Sequence, residues 1–372
     1  MKAVLPLILL LVLACRGTDK DTADLKFEFT GQFKSVTLPD HFDQFNLAFR
    51  TFSHGGIAFY DNKANELWAD SGGSLNSFKL TALEKEGPNG VGQHVEDIQL
   101  DLNGNIWISS MSSRLTKVNA DGQVVERVEL NSDTLNRDGA GLMTFSFVPE
   151  AEGSFAIATV PLLFQWNKLA IDQILQLPNV VRYDSKSGAF EHLSKYDAGF
   201  IGSNLNKHII PTLHRAKGEA IVVNHNFRDI WVIEGKDIRQ YPAAHSKFPK
   251  DPPISESDIF EDMEEVMRIM NFADIYIDFH YLPSLNLYVR VAKFEDIPTN
   301  GPSLEPHLAA TWGLVFLDND FNVIGELDLP AKKYNPTYLF ATEAGIWVST
   351  THPDNPDVEE GVITFELIQI NL

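Results

Sequence analysis

The fold of this chain is decided by Gly104-Asn105-Ile106-Trp107-Ile108-Ser109, a stretch that returns twice. Its echoes are Asp229-Ile230-Trp231-Val232-Ile233 and Gly345-Ile346-Trp347-Val348-Ser349-Thr350. Each copy is a short apolar run around a tryptophan, bounded by turn-forming Gly, Asp or Asn, which is typical of β-strands. The tryptophans lie 124 and 116 residues apart, which is close to twice 60 residues. The spacing indicates a structural unit of about 60 residues that repeats along the chain.

A second repeated pattern supports the same period. It is an apolar residue followed by an Asp- or Asn-rich turn. The copies are Tyr60-Asp61-Asn62-Lys63, Val118-Asn119-Ala120-Asp121-Gly122, Tyr183-Asp184-Ser185-Lys186 and Leu317-Asp318-Asn319-Asp320. Successive copies are 58, 65 and 134 residues apart, the last interval being two units. Asp and Asn side chains bond the local backbone in such turns, and the ligand spacing of a calcium loop is absent, so we interpret these residues as turn formers.

The repeating unit predicts a six-bladed β-propeller. Units of about 60 residues over residues 27–372 give six blades of four strands each, and a seven-bladed ring with one atypical blade is the alternative. The predicted blades are 40–82, 95–131, 142–194, 208–243, 272–330 and 336–372. The first strand, residues 27–38, has no hairpin partner of its own. We therefore expect it to complete the last blade, which joins the two chain ends and leaves no open edge.

Two segments depart from the β pattern. Residues Ser255–Arg268 have serines suited to an N-cap, acidic residues in the first turn and apolar residues on one face, which predicts a short helix. A second short helix is predicted within Pro161–Leu177. Both are expected as insertions between strands or blades of a single domain.

The N-terminus has the features of a secretion signal. Lys2 precedes an apolar run from Val4 to Leu13, which is too short to span a bilayer as a helix. The run ends in Val12-Leu13-Ala14-Cys15, which resembles the lipobox of bacterial lipoproteins. The resemblance implies a signal peptide at residues 1–14, a lipidated Cys15 as membrane anchor, and a flexible tether over residues 15–26. The alternative is an ordinary secretory signal in which the cysteine has no role.

The residue after the cysteine bears on where such a lipoprotein would reside. Arg16 stands where inner-membrane lipoproteins carry an aspartate, so the segment resembles those sorted to the outer membrane. We expect a lipid-anchored protein of the cell envelope, on either the periplasmic face or the cell surface.

Four further stretches together resemble a domain-of-unknown-function family of Bacteroidota lipoproteins, which is grouped with six-bladed β-propellers. They are Glu86-Gly87-Pro88-Asn89-Gly90-Val91-Gly92, Asp101-Leu102-Asn103-Gly104-Asn105, Leu287-Tyr288-Val289-Arg290 and Asn355-Pro356-Asp357-Val358-Glu359-Glu360-Gly361-Val362-Ile363-Thr364-Phe365. The resemblance covers most of the mature chain and implies the fold and the envelope location. It implies no activity, substrate or catalytic residue, because the family has none established.

Composition excludes several classes of function. With 30 Lys and Arg against 51 Asp and Glu, the net charge is -21, which argues against nucleic-acid binding. Cys15 is the only cysteine, so an intramolecular disulfide and a cysteine metal site are excluded. The 11 histidines show no metal-ligand spacing, and no nucleophile elbow, phosphate loop or dinucleotide fingerprint is present. The sequence therefore predicts neither a metal nor a cofactor.

Arg290 is a candidate ligand-binding residue. Strand alternation places Tyr288 and Arg290 on one face of their strand and Leu287, Val289 and Val291 on the other. An arginine in an otherwise apolar strand is expected to need an anionic partner. The hypothesis is that Arg290 points into the channel and contacts either a structural carboxylate or an anionic ligand.

Polar residues of the fourth unit are further candidates. His208, His214 and His225, with Arg215 beside His214, would approach the channel if each opened an inner strand. The alternative is that they are surface or turn histidines. The segment Asn224-His225-Asn226-Phe227-Arg228 resembles a polar hairpin tip, and loop tips on a rigid frame are common binding positions, although ordinary turns look the same.

The sequence favours a non-enzymatic, envelope-anchored propeller that binds a protein or a small ligand at one end of its ring. The alternative is a hydrolase or lyase that acts on a glycan or peptide in the channel with Arg, His and carboxylate groups. A purely structural spacer would have neither a pocket nor a stable partner.

Overall fold

The computed structural model of the chain describes residues 25–51, 56–70, 75, 77–101, 103, 105–110, 113–119, 121–161, 171–196, 211–227, 229–248, 273–294 and 310–371. These residues form six four-stranded antiparallel sheets. The helices among them are short: α1 (Asp133–Asp138) and α2 (Ile171–Ile174). The predicted all-β class is therefore confirmed.

Each sheet is one blade, and in blades 1 to 5 the strands follow one another in chain order from the first to the fourth. Blade 1 contains β2 (Leu47–Thr51), β3 (Ile57–Asp61), β4 (Glu66–Asp70) and β5 (Lys79–Ala82). Blade 2 contains β6 (Val95–Leu100), β7 (Ile106–Ser110), β8 (Arg114–Val118) and β9 (Val124–Glu129). Blade 3 contains β10 (Ala140–Pro149), β11 (Ser154–Pro161), β12 (Pro178–Asp184) and β13 (Ala189–Lys195).

The second half of the ring repeats this order. Blade 4 contains β14 (Pro211–Arg215), β15 (Ile221–His225), β16 (Ile230–Glu234) and β17 (Asp237–Tyr241). Blade 5 contains β18 (Ile275–Leu282), β19 (Leu287–Phe294), β20 (Thr311–Leu317) and β21 (Val323–Asp328). Blade 6 contains β22 (Asn335–Thr342), β23 (Gly345–Ser349), β24 (Val362–Asn371) and β1 (Lys26–Thr37). The largest departure from the predicted blade limits is the start of blade 1, at Leu47 instead of residue 40.

The first strands of the six blades form a closed ring around a central channel. Each contacts the first strand of the next blade, from β2 through β6, β10, β14 and β18 to β22, and β22 returns to β2. The ring therefore closes with six blades, and the seven-bladed alternative is wrong.

The N-terminal strand closes the ring as predicted. β1 pairs antiparallel with β24 as the outermost strand of blade 6, with Phe27 opposite Ile370 and Val36 opposite Ile363. A bulge between Phe29 and Phe33 interrupts the pairing. Because β1 and β24 are hydrogen-bonded in one sheet, blade 6 joins the N-terminal strand to the C-terminal strand, and β24 has no free edge.

A separate apolar cluster fills each of the six boundaries between neighbouring blades. Between blades 2 and 3, Trp107 meets Phe155 edge to face with ring centroids 4.7 Å apart. Between blades 6 and 1, Tyr338 lies 5.5 Å from Phe49. The interior strands of the blades are thus covered on both faces, which explains why strands such as β3 and β23 are apolar without alternation.

The repeated motifs mark blades correctly but not equivalent strands. Trp107 and Trp347 lie in the second strand of their blades, whereas Trp231 lies in β16, the third strand of blade 4. All three tryptophans lie on mostly buried interior strands, so either interior position of a blade can carry the tryptophan. The predicted turn role of the aspartates is confirmed, for example at Asp184, whose Oδ1 accepts the backbone N–H of Lys186 at 2.7 Å.

The predicted insertions are described only in part. α2 lies within Pro161–Leu177, while Ser255–Arg268 falls outside the described residues. α1, between blades 2 and 3, was not expected from the sequence; Gly139 ends it in a left-handed conformation with φ of 93°. Cys15 and the rest of the predicted signal and tether up to residue 24 also lie outside the described range. Among the described residues, no helix has the length and apolar character needed to cross a membrane.

Candidate functional site

One mouth of the channel widens into a cavity of about 430 Å³. Its walls come from the first strands of blades 1 to 5 and from the loop that follows β14. Two clefts of about 540 Å³ lie elsewhere, against the Glu86–Gly92 loop and against the loop before β24. We treat the channel cavity as the candidate site because charged side chains from separate blades converge on it.

A carboxylate between two histidines occupies one wall of the cavity. Asp278 and His280 belong to β18, and His214 belongs to the neighbouring strand β14. Asp278 Oδ1 lies 3.7 Å from His214 Nδ1, and its Oδ2 lies 3.4 Å from His280 Nε2. The side chains of Asp278 and His214 are about one-fifth exposed, so both reach the cavity while the protein shields most of their surface.

The opposite wall holds a buried ion pair. Arg50, the penultimate residue of β2, lies beside Asp97 of β6, and its Nη2 donates to Asp97 Oδ1. Its Nε donates to the carbonyl of Ile98 at 3.1 Å and its Nη1 to the carbonyl of Phe49 at 2.7 Å. Asp97 is only 2% exposed, whereas Arg50 is 34% exposed. Arg50 therefore ties blades 1 and 2 together and presents its outer surface to the cavity.

These groups set one another's charge. Burial lowers the pKa of His214 to about 4, although Asp278 opposes the shift, so His214 is neutral at neutral pH. Burial by itself raises the pKa of Asp278, but His280, His214 and Arg50 more than offset it and hold the pKa well below its usual range. Burial lowers the pKa of Arg50, but the carboxylates of Asp97 and Asp278 raise it by more. The pKa therefore lies above its ordinary value, and the guanidinium stays charged.

Arg215, predicted from the sequence, also lines the cavity. Its Nε and Nη2 are buried and have no hydrogen-bond partner among the described residues. Burial lowers its pKa, and the carboxylates of Glu150, Asp101 and Glu219 partly compensate. An unsatisfied buried donor is costly, so it marks a place where a ligand or water would be favourable.

Arg290 does not line the cavity, and the hypothesis that it points into the channel is wrong. It lies in β19, the second strand of blade 5, and its side chain is fully buried against blade 4. Its Nε donates to Asn224 Oδ1 at 2.8 Å, and Nη1 and Nη2 donate to the carbonyls of Ala243 and His225 at 2.7 Å. The guanidinium also stacks on Tyr276, 3.5 Å from the ring centre. In a propeller, the two faces of a second strand are turned towards the neighbouring blades. The side chain of an arginine on such a strand therefore contacts the next blade and not the channel.

Tyr288 shares that boundary. Its ring stacks on Phe321 with centroids 4.7 Å apart, and its hydroxyl accepts the backbone N–H of Lys217 at 3.1 Å. Only 2% of the residue is exposed. Tyr288 is thus a core residue between blades 4 and 5, on the same strand face as Arg290, as alternation predicted.

The hairpin around Asn224 exists, but it is not an exposed tip. Asn224 and His225 are fully buried, and His225 Nδ1 donates to the carbonyl of Asp229 at 3.0 Å. The carbonyl of Asn226 accepts the backbone N–H of Tyr276 at 2.7 Å. The hairpin of blade 4 is therefore covered by blade 5, because the face of each blade packs on the next.

A hydrogen-bond chain links this buried hairpin to the cavity. Asn224, which accepts from Arg290, donates through Nδ2 to Thr212 Oγ1 at 3.2 Å. Thr212 Oγ1 lies 3.0 Å from His214 Nε2. Arg290 and Asn224 thus help to orient His214 from the side away from the cavity. These three sequence-predicted residues are connected in the structure, although of the three only His214 reaches the cavity. His208 lies outside the described residues.

Sequence reasoning missed Arg50, Asp97, Asp278 and His280. Each is a charged or titratable residue in the first strand of a blade. First strands surround the channel, so their polar residues could have been predicted as candidates for a channel site. Asp278 and His280 are two residues apart on one face of an otherwise apolar strand, which alternation alone could have flagged. Within the part of the chain that the structure describes, no three His, Cys, Asp or Glu side chains are grouped to hold a metal ion.

The fold and the cavity define a six-bladed β-propeller with a polar site at one mouth of its channel. The family model described as Domain of unknown function (DUF4221) matches residues 75–328, so the chain belongs to this family. The resemblance seen in the sequence is thereby confirmed.

Solved structures show the same fold. A member of the DUF4221 family from Bacteroides vulgatus is 17% identical over 94% of this chain and 99% of that one, with a TM-score of 0.68. A protein from Bacteroides fragilis is 10% identical over 96% and 98% of the two chains, with a TM-score of 0.52. No curated protein sequence matches the chain.

Proposed function

We propose that this protein is an envelope-anchored binding protein that holds a small polar ligand in the channel cavity. The observation that carries the proposal is the convergence of Arg50, His214 and Asp278, from three different blades, on one cavity of about 430 Å³. Ligand sites typically enclose roughly 300–1,000 Å³ and combine apolar walls with a few fixed polar groups. Charged groups that are mostly buried are costly to keep and are therefore concentrated at functional sites.

Filling the cavity tests this proposal without removing a charge. Thr51 lines the cavity at the end of β2, and Thr51→Trp would occupy its mouth. Val125→Trp is the matched control, because Val125 is 57% exposed on the outer strand β9. The full chain is equilibrated with the small-molecule extract of the cells that make it, dialysed, and analysed by mass spectrometry.

We expect the parent chain and Val125→Trp to retain the same small molecule and Thr51→Trp to lose it. Retention of nothing by the parent chain contradicts the proposal. So does a stoichiometric envelope protein that crosslinks equally to the parent chain and to Thr51→Trp, because such a partner would not use the cavity.

The anchor is a separate part of the proposal and rests on the sequence of residues 12–15. A lipidated Cys15 would hold the protein durably at a membrane, since multiple acyl chains are needed for stable anchoring. In fractionated cells the parent chain is expected with the outer membrane and Cys15→Ser in the soluble envelope fraction. Equal membrane association of the two forms would remove the lipid anchor from the proposal.

A second candidate function is a hydrolase or lyase that acts on a glycan or peptide in the same cavity. The contact that favours it is His214 Nδ1 at 3.7 Å from Asp278, because a neutral imidazole beside a carboxylate can take a proton from a substrate. New fragments should then appear from envelope glycan or peptide with the parent chain and with His41→Gln, a surface histidine control, but not with His214→Gln. Equal product from His214→Gln would reject this mechanism.

A further inference from the structure

We infer that the ligand of the channel cavity is a ring-shaped monocarboxylate whose acid group binds Arg215 and whose ring packs on Phe145. This inference rests on the proposed function, because it names the chemistry of the ligand for the same cavity. It depends on three features: the unused donors of Arg215, the charges around them, and an exposed aromatic ring beside them.

The unused donors of Arg215 lie on one edge of its guanidinium. The N–H bonds of Nε and Nη2 run parallel, and this is the edge that binds both oxygens of one carboxylate. Neither atom has a hydrogen-bond partner among the described residues. Arg50, the other guanidinium of the cavity, already uses Nε, Nη1 and Nη2 on protein oxygens. Arg215 is therefore the arginine with capacity for a ligand.

Bulk water does not reach these two donors, although Arg215 lines the cavity. The cost of leaving them unpaired favours any rotation of the flexible side chain that turns this edge to an acceptor in the cavity. An acid group of a ligand supplies two acceptors in the required geometry, which single water molecules do not.

The surrounding charges favour a single negative charge over two. Glu150, Asp101 and Glu219 all act on Arg215, and the cavity also holds the ionised Asp278. A phosphate dianion would be repelled by these carboxylates, while a planar monoanion matches one guanidinium. Asp278 Oδ1 accepts the backbone N–H of Phe279 at 2.8 Å, and His214 and His280 lie beside the same carboxylate. A carboxylate has about four acceptor positions, so Asp278 can also accept from a hydroxyl or amine of the ligand.

Phe145 supplies the apolar surface. β10 contains a register shift between Met143 and Phe147, and a bulge of this kind re-aims a side chain. Phe145 is 43% exposed and lines the cavity, while the next residue, Ser146, is tied to β14 by the backbone N–H of Leu213 at 2.9 Å. The ring is thus held beside the strand that carries Arg215. An exposed aromatic ring inside a polar cavity favours a ligand with a flat apolar face.

The test uses matched probes on the full chain, measured by ligand-observed NMR and calorimetry. One set is glucuronate, glucose and glucose phosphate. The other is hydroxyphenylacetate and its amide, which distinguishes a sugar ring from an aromatic one. We expect at least one carboxylate to bind, its neutral partner to bind about 10- to 100-fold more weakly, and glucose phosphate to bind no better than glucuronate.

Variants assign the effect to Arg215. Arg215→Gln should weaken carboxylate binding by about 10- to 100-fold without lowering the melting temperature appreciably, because Nε and Nη2 of Arg215 donate no hydrogen bond to the described residues. Arg215→Lys keeps the positive charge but cannot donate two parallel N–H bonds to one carboxylate. Its affinity for the carboxylate should therefore lie between those of Arg215→Gln and the parent chain. Arg114→Gln is the control, since Arg114 also has an unpartnered buried Nε but lies in the cleft at the Glu86–Gly92 loop.

The outcomes separate this inference from the proposed function. A small molecule that is lost in Thr51→Trp but retained by Arg215→Gln leaves the cavity as a binding site and overturns the carboxylate. Failure of every carboxylate probe, or equal binding of acids and neutral partners, also overturns it. Absence of any retained molecule overturns both.

Discussion

Replacing Arg290 with methionine tests whether this residue holds blades together or binds a ligand. In the structure its three nitrogens donate to Asn224 Oδ1 and to the carbonyls of Ala243 and His225 at 2.7–2.8 Å. Asn224 and His225 belong to blade 4 and Ala243 to the loop that follows it, while Arg290 belongs to blade 5. Methionine fills a similar volume but offers no donor, so three buried oxygens lose their partner.

The expected loss of stability follows from those contacts. Each buried acceptor left unpaired costs roughly 1–3 kcal/mol, or roughly 3–9 kcal/mol for three. Methionine also relieves the burial of a charge, which is large enough to lower the pKa of Arg290 to about 9. The net loss should therefore lie in the lower part of this range, at about 3–5 kcal/mol. That is a large part of the 5–15 kcal/mol that stabilises a typical domain.

The assay is urea unfolding followed by tryptophan fluorescence, with the midpoint and slope fitted for each variant. Arg239→Met is the matched control: Arg239 is 61% exposed on the outer strand β17, and its loss should change stability by less than about 0.5 kcal/mol. An Arg290→Met variant that loses less than about 1 kcal/mol yet no longer binds ligand would refute this reasoning. It would restore the hypothesis that Arg290 contacts the ligand.

Two further perturbations address the cavity and the ring closure. Folding holds His214 neutral down to about pH 4, whereas in the unfolded chain it takes up its proton near pH 6.5. The unfolded state then binds more protons than the folded state between these pH values, so the free energy of unfolding should fall as the pH drops through this window. Urea midpoints measured at each pH should depend less steeply on pH in His214→Gln than in the parent chain. Deleting residues 25–37 removes β1 and exposes the edge of β24. The shortened chain should melt at a lower temperature and self-associate, which light scattering detects. A monomer with an unchanged melting temperature would show that the ring closes without β1.

The blades could be predicted because their signals are local. Trp107 and Trp347 each mark an interior strand, and Asp61, Asn119, Asp184 and Asp318 each bond the backbone of their own turn. Such features depend on neighbours in sequence. Counting their period therefore favoured six units and gave their approximate limits, while the seven-bladed alternative stayed open until the closed ring was seen. The choice of which interior strand carries the tryptophan, as with Trp231, depends on packing between blades and was not visible.

Arg290 shows where strand alternation stops being informative. Alternation correctly placed it on the same face as Tyr288. In a flat, half-exposed sheet that face could have met a solvent-filled channel. In a propeller both faces of a second strand meet neighbouring blades, so the arginine had to find its partners there. The same argument covers Asn224 and His225, whose polar sequence resembled an exposed turn although blade 5 buries them.

The sequence by itself determined the all-β class, the turns, the approximate limits of the blades and the strand that closes the ring, because hydrophobic period and turn chemistry act over a few residues. The choice between six blades and seven needed the contacts that close the ring. Only the tertiary structure decided the site. Arg50, His214 and Asp278 come from three blades far apart in the chain, and they share a cavity because the ring brings the first strands together. The unpaired edge of Arg215 is likewise a property of the closed ring, since only packing shows which donors find partners and which remain free for a ligand.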